Sequence, residues 1–346
     1  MMIKQRSVSG VTLIEVSLDR PEQSFSSAVA EGLSNAQKTL PCRFFYDTVG
    51  SELFEQICEL PEYYPTRTEQ QILERYADDM IKAVDDKNEN NQNEVALVEF
   101  GSGSSFKTRI LMNALLARQP HLHYTPIDIS SDFLLDSSLT LLSEYDARLS
   151  ITAIAAEYND ALRVLPELHH QPRLFLFLGS NIGNFEQQDA VALLAKMADQ
   201  MRAEDRLLIG FDLVKDRAIL FAAYNDAAGV TAAFNKNLLA RINRELGAHF
   251  DLDQFTHYAP FVEEQARIEV RLISRCRQSV YIEALEQTFE FEEGEYIHTE
   301  NSHKYTAKSM AALSDAAGLA IQEEWVAERT WFAMALLRKK SVISNQ

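Results

Sequence analysis

Between residues 95 and 211 short apolar runs alternate with amphipathic stretches, and that alternation leaves few folds open to the chain. Residues 95–100, 123–127, 150–155, 173–178 and 206–211 read as strands, while 107–118, 131–144 and 187–201 carry helical spacing. Strands this continuously apolar, separated by helices, predict a parallel, doubly wound α/β sheet. The rhythm breaks between Leu213 and about Tyr305. Helical periodicity over 218–246 gives way there to strand-like alternation over 266–274 and 279–291, which predicts an inserted α+β unit. A helix over 307–317 and strand-like stretches over 321–328 and 331–337 predict a return to the edge of the first sheet.

The segment before this sheet is less regular. Its opening, to about Asn35, is polar and mixed, and residues 39–68 are rich in aromatics and prolines, as loops and short helices are. Ile72, Leu73, Tyr76, Met80 and Ile81 recur at three-to-four spacing and predict a helix over 69–84. Residues 85–94, charged and rich in Asn, predict an exposed linker. A chain of 346 residues suits two domains, or one with a large insertion.

Charge excludes some partners. Lys plus Arg is 33 against 51 Asp plus Glu, so 33 − 51 = −18, a field that repels nucleic-acid phosphates and anionic membranes. Cys42, Cys58 and Cys276 are too scattered for a metal site, and their odd number suits a reducing compartment. Residues 1–19 lack the basic start and apolar run of a signal peptide, and no apolar stretch is long enough to span a bilayer. The expectation is a cytoplasmic protein without metal.

The first strand of the sheet runs into Gly101-Ser102-Gly103-Ser104-Ser105 and then a helix. Glycines and backbone N–H groups thus sit at the carboxyl end of a strand, where open α/β sheets bind ligands. Glycines also end many strands that bind nothing. The second strand, however, ends in Asp128, whose carboxylate can accept both ribose hydroxyls of a nucleoside cofactor. The third is followed by Glu157 and Tyr158, placed to meet the edge and face of an adenine. A dinucleotide fingerprint needs a third glycine where this chain has Phe106, and Glu99 before the loop suits a cationic amino-acid cofactor better than a pyrophosphate. S-adenosylmethionine is favoured over nicotinamide.

Further stretches are distinctive: Phe45-Tyr46-Asp47 with Gly50-Ser51-Glu52-Leu53-Phe54, then Leu60-Pro61-Glu62-Tyr63-Tyr64-Pro65-Thr66-Arg67, then Glu99-Phe100-Gly101 through Lys107-Thr108-Arg109. Leu178-Gly179-Ser180-Asn181-Ile182-Gly183-Asn184, Gly229-Val230-Thr231-Ala232-Ala233-Phe234-Asn235 and Thr299-Glu300-Asn301-Ser302-His303-Lys304-Tyr305 follow. Together, over nearly the whole chain, they resemble the L-histidine Nα-methyltransferases of ergothioneine biosynthesis, a branch of the class I S-adenosylmethionine-dependent methyltransferases.

The resemblance implies an α/β fold: a Rossmann-like class I methyltransferase sheet with an inserted α+β substrate-binding domain. Residues 68–214 and 305–346 would form the cofactor domain, and 20–67 with 215–304 the substrate domain. The family's cofactor contacts fall on Gly101, Lys107, Asp128, Glu157 and Tyr158, beside Ser102 and Gly103 of the same loop. Its substrate positions fall on Tyr46, Phe54, Tyr63, Asn184, Tyr224, Glu300 and Ser302. Where the family commonly carries a methionine against the imidazole, this chain has Val270, which reshapes the pocket.

These residue types suit a free amino acid, which offers an amine, a carboxylate and a side chain. The Asn184 amide oxygen can accept from the amine, Tyr63 and Tyr224 can donate to the carboxylate, and Glu300 with Ser302 can meet the imidazole. Taken singly, aromatics in a Pro-rich loop are more often packing, and a Glu-x-Ser is more often a solvated strand face. Methyl transfer from a sulfonium to a neutral amine needs positioning rather than a metal or a covalent intermediate. Tyr46 and Asn184 are the candidates for orienting the amine, with Tyr46 or water taking its proton. The rival readings are the same chemistry on an aromatic amino acid and a non-catalytic module that only binds S-adenosylmethionine.

Overall fold

The computed structural model describes residues 2–17, 24–85, 94–165 and 170–340. In chain order these form β1 (Met2–Val8), β2 (Val11–Ser17), α1 (Phe25–Ser34), α2 (Thr48–Glu59), α3 (Tyr64–Asp85), β3 (Ala96–Phe100), α4 (Thr108–Leu116), β4 (Leu122–Asp128) and α5 (Ser131–Tyr145). Then come β5 (Leu149–Ala155), α6 (Tyr158–Val164), β6 (Arg173–Phe177), α7 (Gln187–Gln200), β7 (Arg206–Asp212), α8 (Arg217–Tyr224), α9 (Val230–Leu246), β8 (Phe255–Tyr258) and β9 (Phe261–Val262). The last elements are β10 (Arg267–Ser274), β11 (Gln278–Ile282), β12 (Gln287–Phe291), β13 (Tyr296–His303), α10 (Ala307–Ala316), β14 (Leu319–Val326) and β15 (Phe332–Lys339). The predicted linker, residues 85–94, lies outside the described residues except at its two ends.

The chain divides into two compact units: Met1–Leu18, Pro65–Val214 and Tyr305–Gln346 in one, Asp19–Tyr64 and Lys215–Lys304 in the other. The first holds a nine-stranded sheet in the order β1-β2-β5-β4-β3-β6-β7-β15-β14. Strands β2 through β7 pair in parallel along this order, whereas β1 and the β15–β14 pair run antiparallel at the edges. Alternate residues of the parallel strands enter opposite cores, as the pleat requires. Leu97, Leu174 and Leu176 pack on one face with α3 and α4, and Val98, Phe100, Phe175 and Phe177 on the other with α6 and α7. The expected α/β sheet is therefore present, with both faces covered.

Three local departures from the sequence reading have physical causes. The opening residues form a hairpin, β1–β2, whose outer strand is exposed and so lacks any apolar pattern. Its turn is Ser9-Gly10, both with positive φ, a two-residue hairpin signal. Helix α3 starts at Tyr64 rather than 69 because Pro65 falls in its first turn, where a missing N–H costs nothing. The helical stretch over 218–246 is broken into α8 and α9, with Gly229 at φ 76° before α9. There the Asp226 carboxylate accepts from the N–H groups of Val230 and Thr231, at 2.9 and 2.8 Å.

The second unit has a sheet in which β10 pairs with β13, β8 and β9, and a separate β11–β12 hairpin. Phe234, Leu238, Leu239, Ile242 and Leu246 lie at three-to-four spacing along α9 and are buried against β10, β12 and β13 core residues. Each contributes about 1.5–3 kcal/mol through burial. Strand β13 is bulged: Val270 pairs with Glu300 but Arg271 with His298, leaving Thr299 over.

Candidate functional site

In the first unit, β3 ends in Gly101 at φ 72°. A Cβ there would lie 2.7 Å from the Tyr158 hydroxyl and 2.9 Å from the Asn181 amide nitrogen, so neither the conformation nor the space admits a side chain. The N–H groups of Gly101 and Ser102 both donate to the Ile127 carbonyl, at 2.8 and 3.1 Å, which locks the loop to the neighbouring strand. At Gly103 a Cβ would meet nothing within 4 Å, so the loop is open on that side. Buried beneath it, the Ser102 Oγ has no hydrogen-bond partner among the described residues.

Asp128, at the end of β4, is half-buried and accepts from the N–H groups of Gly103 and Ser130, both at 3.1 Å. Burial raises its carboxyl above the ordinary aspartate range, partly offset by those N–H groups. Glu157 caps α6, its carbonyl taking the N–H groups of Asp160 and Ala161 at 3.0 Å. The Tyr158 ring packs against Phe100, Phe177 and Phe185, with centroids at 5.9, 5.5 and 6.3 Å, and its hydroxyl overhangs Gly101. Its ring is thus committed to packing, and the hydroxyl is the end offered to the loop.

Glu99 is a correction. Read from sequence as facing a cationic cofactor, it is instead buried at 3% exposure, with the Thr108 hydroxyl donating at 2.6 Å and the Tyr124 hydroxyl donating to its other oxygen. Burial pushes its carboxyl up to about 7. It ties β3, α4 and β4 together below the loop. Lys107 has a partner that sequence reasoning missed: its ammonium pairs with Glu69 of α3, a fully buried carboxylate that also accepts the Gly179 N–H at 2.8 and 3.0 Å. Asn184 belongs to this unit as well, closing the short 3-10 turn Asn181–Asn184 after β6.

In the second unit Tyr46, Phe54, Tyr63 and Tyr224 form a chain of rings. Centroids stand 5.7 Å apart for Tyr46–Phe54, 6.3 Å for Phe54–Tyr63 and 6.2 Å for Tyr63–Tyr224. Tyr46 is held by its neighbours: the Asp47 carboxylate caps α2 through the Gly50 N–H and accepts from Asn237 of α9, each at 2.8 Å. Gly50 is required there, since a Cβ would lie 1.7 Å from the Phe45 carbonyl oxygen.

Polar groups line the other side. The Tyr224 and Ser302 hydroxyls are 2.7 Å apart, and the buried Lys304 ammonium donates to both, at 2.9 and 2.8 Å. Glu300 lies next along β13, paired across the ladder with Val270, and burial pushes its carboxyl up to about 7, moderated by Lys304. Burial also raises the Tyr63 phenol well above its usual range and pushes the Cys42 thiol up to about 12, with the Glu300 charge adding to both. These residues therefore gather hydroxyl groups, one ammonium and one titratable carboxyl beside a run of aromatic rings.

The structure brings Tyr46, Phe54, Tyr63, Tyr224, Val270, Glu300 and Ser302 into this one unit, and leaves Asn184 in the other. Phe234, whose ring packs edge-on against Tyr46 and tilted against Phe54 with centroids at 5.8 and 6.0 Å, Lys304 and His257 were not singled out. His257 takes the Tyr224 carbonyl with Nε2 at 2.8 Å and faces the Asn235 amide with Nδ1 at 2.9 Å. Lys304 had a legible signal, since Glu300, Ser302 and Lys304 alternate in an extended run. Among the described residues no cluster of His, Cys, Asp and Glu could hold a metal ion, and no helix is long and apolar enough to cross a membrane.

Residues 25–339 match the family model of histidine-specific, S-adenosylmethionine-dependent methyltransferases. A histidine N-alpha-methyltransferase of Mycolicibacterium smegmatis is 40% identical over 318 residues, 92% of this chain and 96% of that protein. Another, of Mycobacterium tuberculosis, is 42% identical over 311 residues, 90% of this chain and 94% of its own length. An L-tryptophan methyltransferase of Psilocybe serbica is 28% identical over 335 residues, 90% of this chain and 92% of that protein.

Proposed function

This chain belongs to the histidine-specific, S-adenosylmethionine-dependent methyltransferase family, and we propose on that premise how its own residues carry the reaction. The enzyme methylates the α-amino group of free L-histidine, and the product we assign is the trimethylated one, Nα,Nα,Nα-trimethylhistidine (hercynine). S-adenosylmethionine, when bound, supplies an electrophilic sulfonium methyl group. The Asp128 carboxylate suits its ribose hydroxyls, and the orphaned Ser102 hydroxyl with the open side of Gly103 leaves polar room at the loop. Glu157 and the Tyr158 hydroxyl are the further contacts we assign to it. Lys107, already paired with Glu69, would contribute through that pair rather than as an isolated cation.

One cluster supports the amino-acid assignment above all: the Tyr224 and Ser302 hydroxyls, donor-rich and 2.7 Å apart, next to the Glu300 carboxyl. Tyr224 and Tyr63 are the carboxylate donors in this reading, and Glu300 with Ser302 takes the imidazole. Phe54 and Val270 form the apolar sides. Tyr46 and Asn184 orient the amine, and Tyr46 or water accepts its proton before each transfer. Holding the lone pair in line is where most of the rate comes from. We place the enzyme in the cytoplasm, where the thiols of Cys42, Cys58 and Cys276, none of them in a disulfide, persist.

Incubating the protein with labelled S-adenosylmethionine and each of the twenty amino acids, then weighing the products, tests this. Histidine should carry three added methyl groups; label on another amino acid in preference overturns the substrate assignment. The second reading, an aromatic substrate, is favoured by Val270, which stands opposite Glu300 in the ladder. An apolar aromatic side chain would leave the Glu300 carboxyl buried without a partner. Glu300→Ala should lower histidine efficiency at least roughly tenfold and relax the preference against tryptophan. Unchanged competition between the two substrates would make Glu300 a bystander.

A further inference from the structure

Lys304 follows β13 at 4% exposure, and a buried ammonium persists only where hydrogen bonds and charge compensate it. Its Nζ reaches the Tyr224 hydroxyl at 2.9 Å and the Ser302 hydroxyl at 2.8 Å, and lies 4.7 Å from the Tyr224 ring centroid. An ammonium can only donate, so both hydroxyl oxygens accept from it. The two hydroxyls are themselves 2.7 Å apart and share one hydrogen bond. Of their two protons one is spent in that bond, and one remains for a partner outside the trio. Replace the ammonium by an apolar group and both oxygens regain a lone pair to satisfy, so either hydroxyl can turn inward.

The charge matters too. The charge that acts on the Glu300 carboxyl is that of Lys304, the cation drawing it toward its ionised form against burial, and the Glu300 charge in turn adds to the burial that raises Cys42 and Tyr63. Tyr46, Tyr224 and Cys58 surround Tyr63 in turn.

We propose that Lys304 is a positioning residue for the amino-acid substrate: by donating to both the Tyr224 and Ser302 hydroxyls it reserves one hydroxyl proton for the substrate carboxylate, and it supplies positive charge to a pocket that must hold an anion. This rests on reading the pocket as the amino-acid site. Lys304 touches the substrate through Tyr224 and Ser302 rather than itself reacting.

The test measures binding of histidine, and of histidinol, which lacks the carboxylate, by calorimetry on the full-length protein with S-adenosylhomocysteine present. Lys304→Met should raise the histidine Kd roughly tenfold or more while leaving S-adenosylhomocysteine affinity unchanged. Histidinol should lose much less, so the preference for histidine shrinks. Lys304→Gln, which keeps an N–H donor without the charge, should fall between, and it stands in should the methionine variant fold poorly. In a Tyr224→Phe background, Lys304→Met should add less than about threefold, because the hydroxyl it directs is already gone. Equal losses for histidine and histidinol, or full multiplication with Tyr224→Phe, would mean Lys304 merely supports the fold, and the proposal falls. If Tyr224→Phe by itself leaves histidine affinity intact, the pocket reading fails first and takes the proposal with it.

Discussion

The loop we assign to the cofactor is shaped by its backbone: the N–H groups of Gly101, Ser102 and Gly103 are held by one carbonyl and one carboxylate of the adjacent strand. The amino-acid pocket we propose is instead shaped by side chains, drawn from the turn at Tyr46, from α2, the residue before α3, α8, β10 and β13. A loop held by its backbone is set by φ and by what a Cβ would strike. A side-chain site is set by packing from distant segments. Burial there moves titrating groups such as Glu300 toward neutrality, so it should respond to conservative substitutions and to pH.

The contrast breaks most severely at Gly101. Gly101→Val places a side chain at positive φ and against Tyr158 and Asn181, and should cost about 2–4 kcal/mol of stability and abolish measurable cofactor binding. A variant that unfolds in urea like the parent and binds S-adenosylhomocysteine within threefold would show the loop is not conformationally determined.

Paired substitutions sharpen the comparison next. Asp128→Ala should weaken cofactor binding by roughly 1.5–3 kcal/mol and leave histidine binding to the apoprotein unchanged. Tyr224→Phe should do the reverse, raising the histidine Michaelis constant more than it lowers turnover, since a carboxylate donor acts equally in ground and transition states. Titrations of both variants with both ligands decide the matter; crossed effects would dissolve the distinction between backbone loop and side-chain pocket.

The smallest expected effect is a pH dependence confined to the second unit. His257 donates from Nε2 to the Tyr224 carbonyl and receives the Asn235 amide at Nδ1, so a second ring proton has no acceptor. Burial lowers its pKa below the ordinary 6.5. The unfolded chain then takes the proton first: the stabilisation is whole above pH 6.5 and is lost as the pH falls toward the folded value. The slope for one such proton is at most about 1.4 kcal/mol per pH unit. Urea unfolding at descending pH should show His257→Gln with a shallower dependence than the parent; His298 in the same unit is shifted the same way and keeps its own contribution. Identical slopes would leave Tyr224 without this support.

Legibility followed the same division. The strands β3 to β7 were readable because both their faces are buried, so apolar residues run on without interruption. The hairpin β1–β2 was not, because its outer strand faces solvent and owes its place to backbone pairing alone. The Gly101 loop was readable as a local motif, whereas Glu99 was misread: a carboxylate beside a glycine loop looks the same in sequence whether it faces outward or, as here, bonds to Thr108 and Tyr124 beneath. Glu69 went unnoticed because its partners, Lys107 and Gly179, lie far along the chain.

The sequence by itself determined the doubly wound sheet, the break at the inserted unit and the loop between β3 and α4, since hydrophobic period and glycine conformation act over neighbouring residues. Resemblance in scattered motifs added the chemistry. Only the tertiary structure decided that Tyr46, Phe54, Tyr63 and Tyr224 meet edge-to-face in one chain, that Glu300 faces Val270 across a bulged ladder, and that Lys304 clamps two hydroxyls. Those relations span segments from Tyr46 to Lys304. Hydrogen-bond direction and the cost of burying charge depend on which atoms meet in space, and no periodicity along the chain records that meeting.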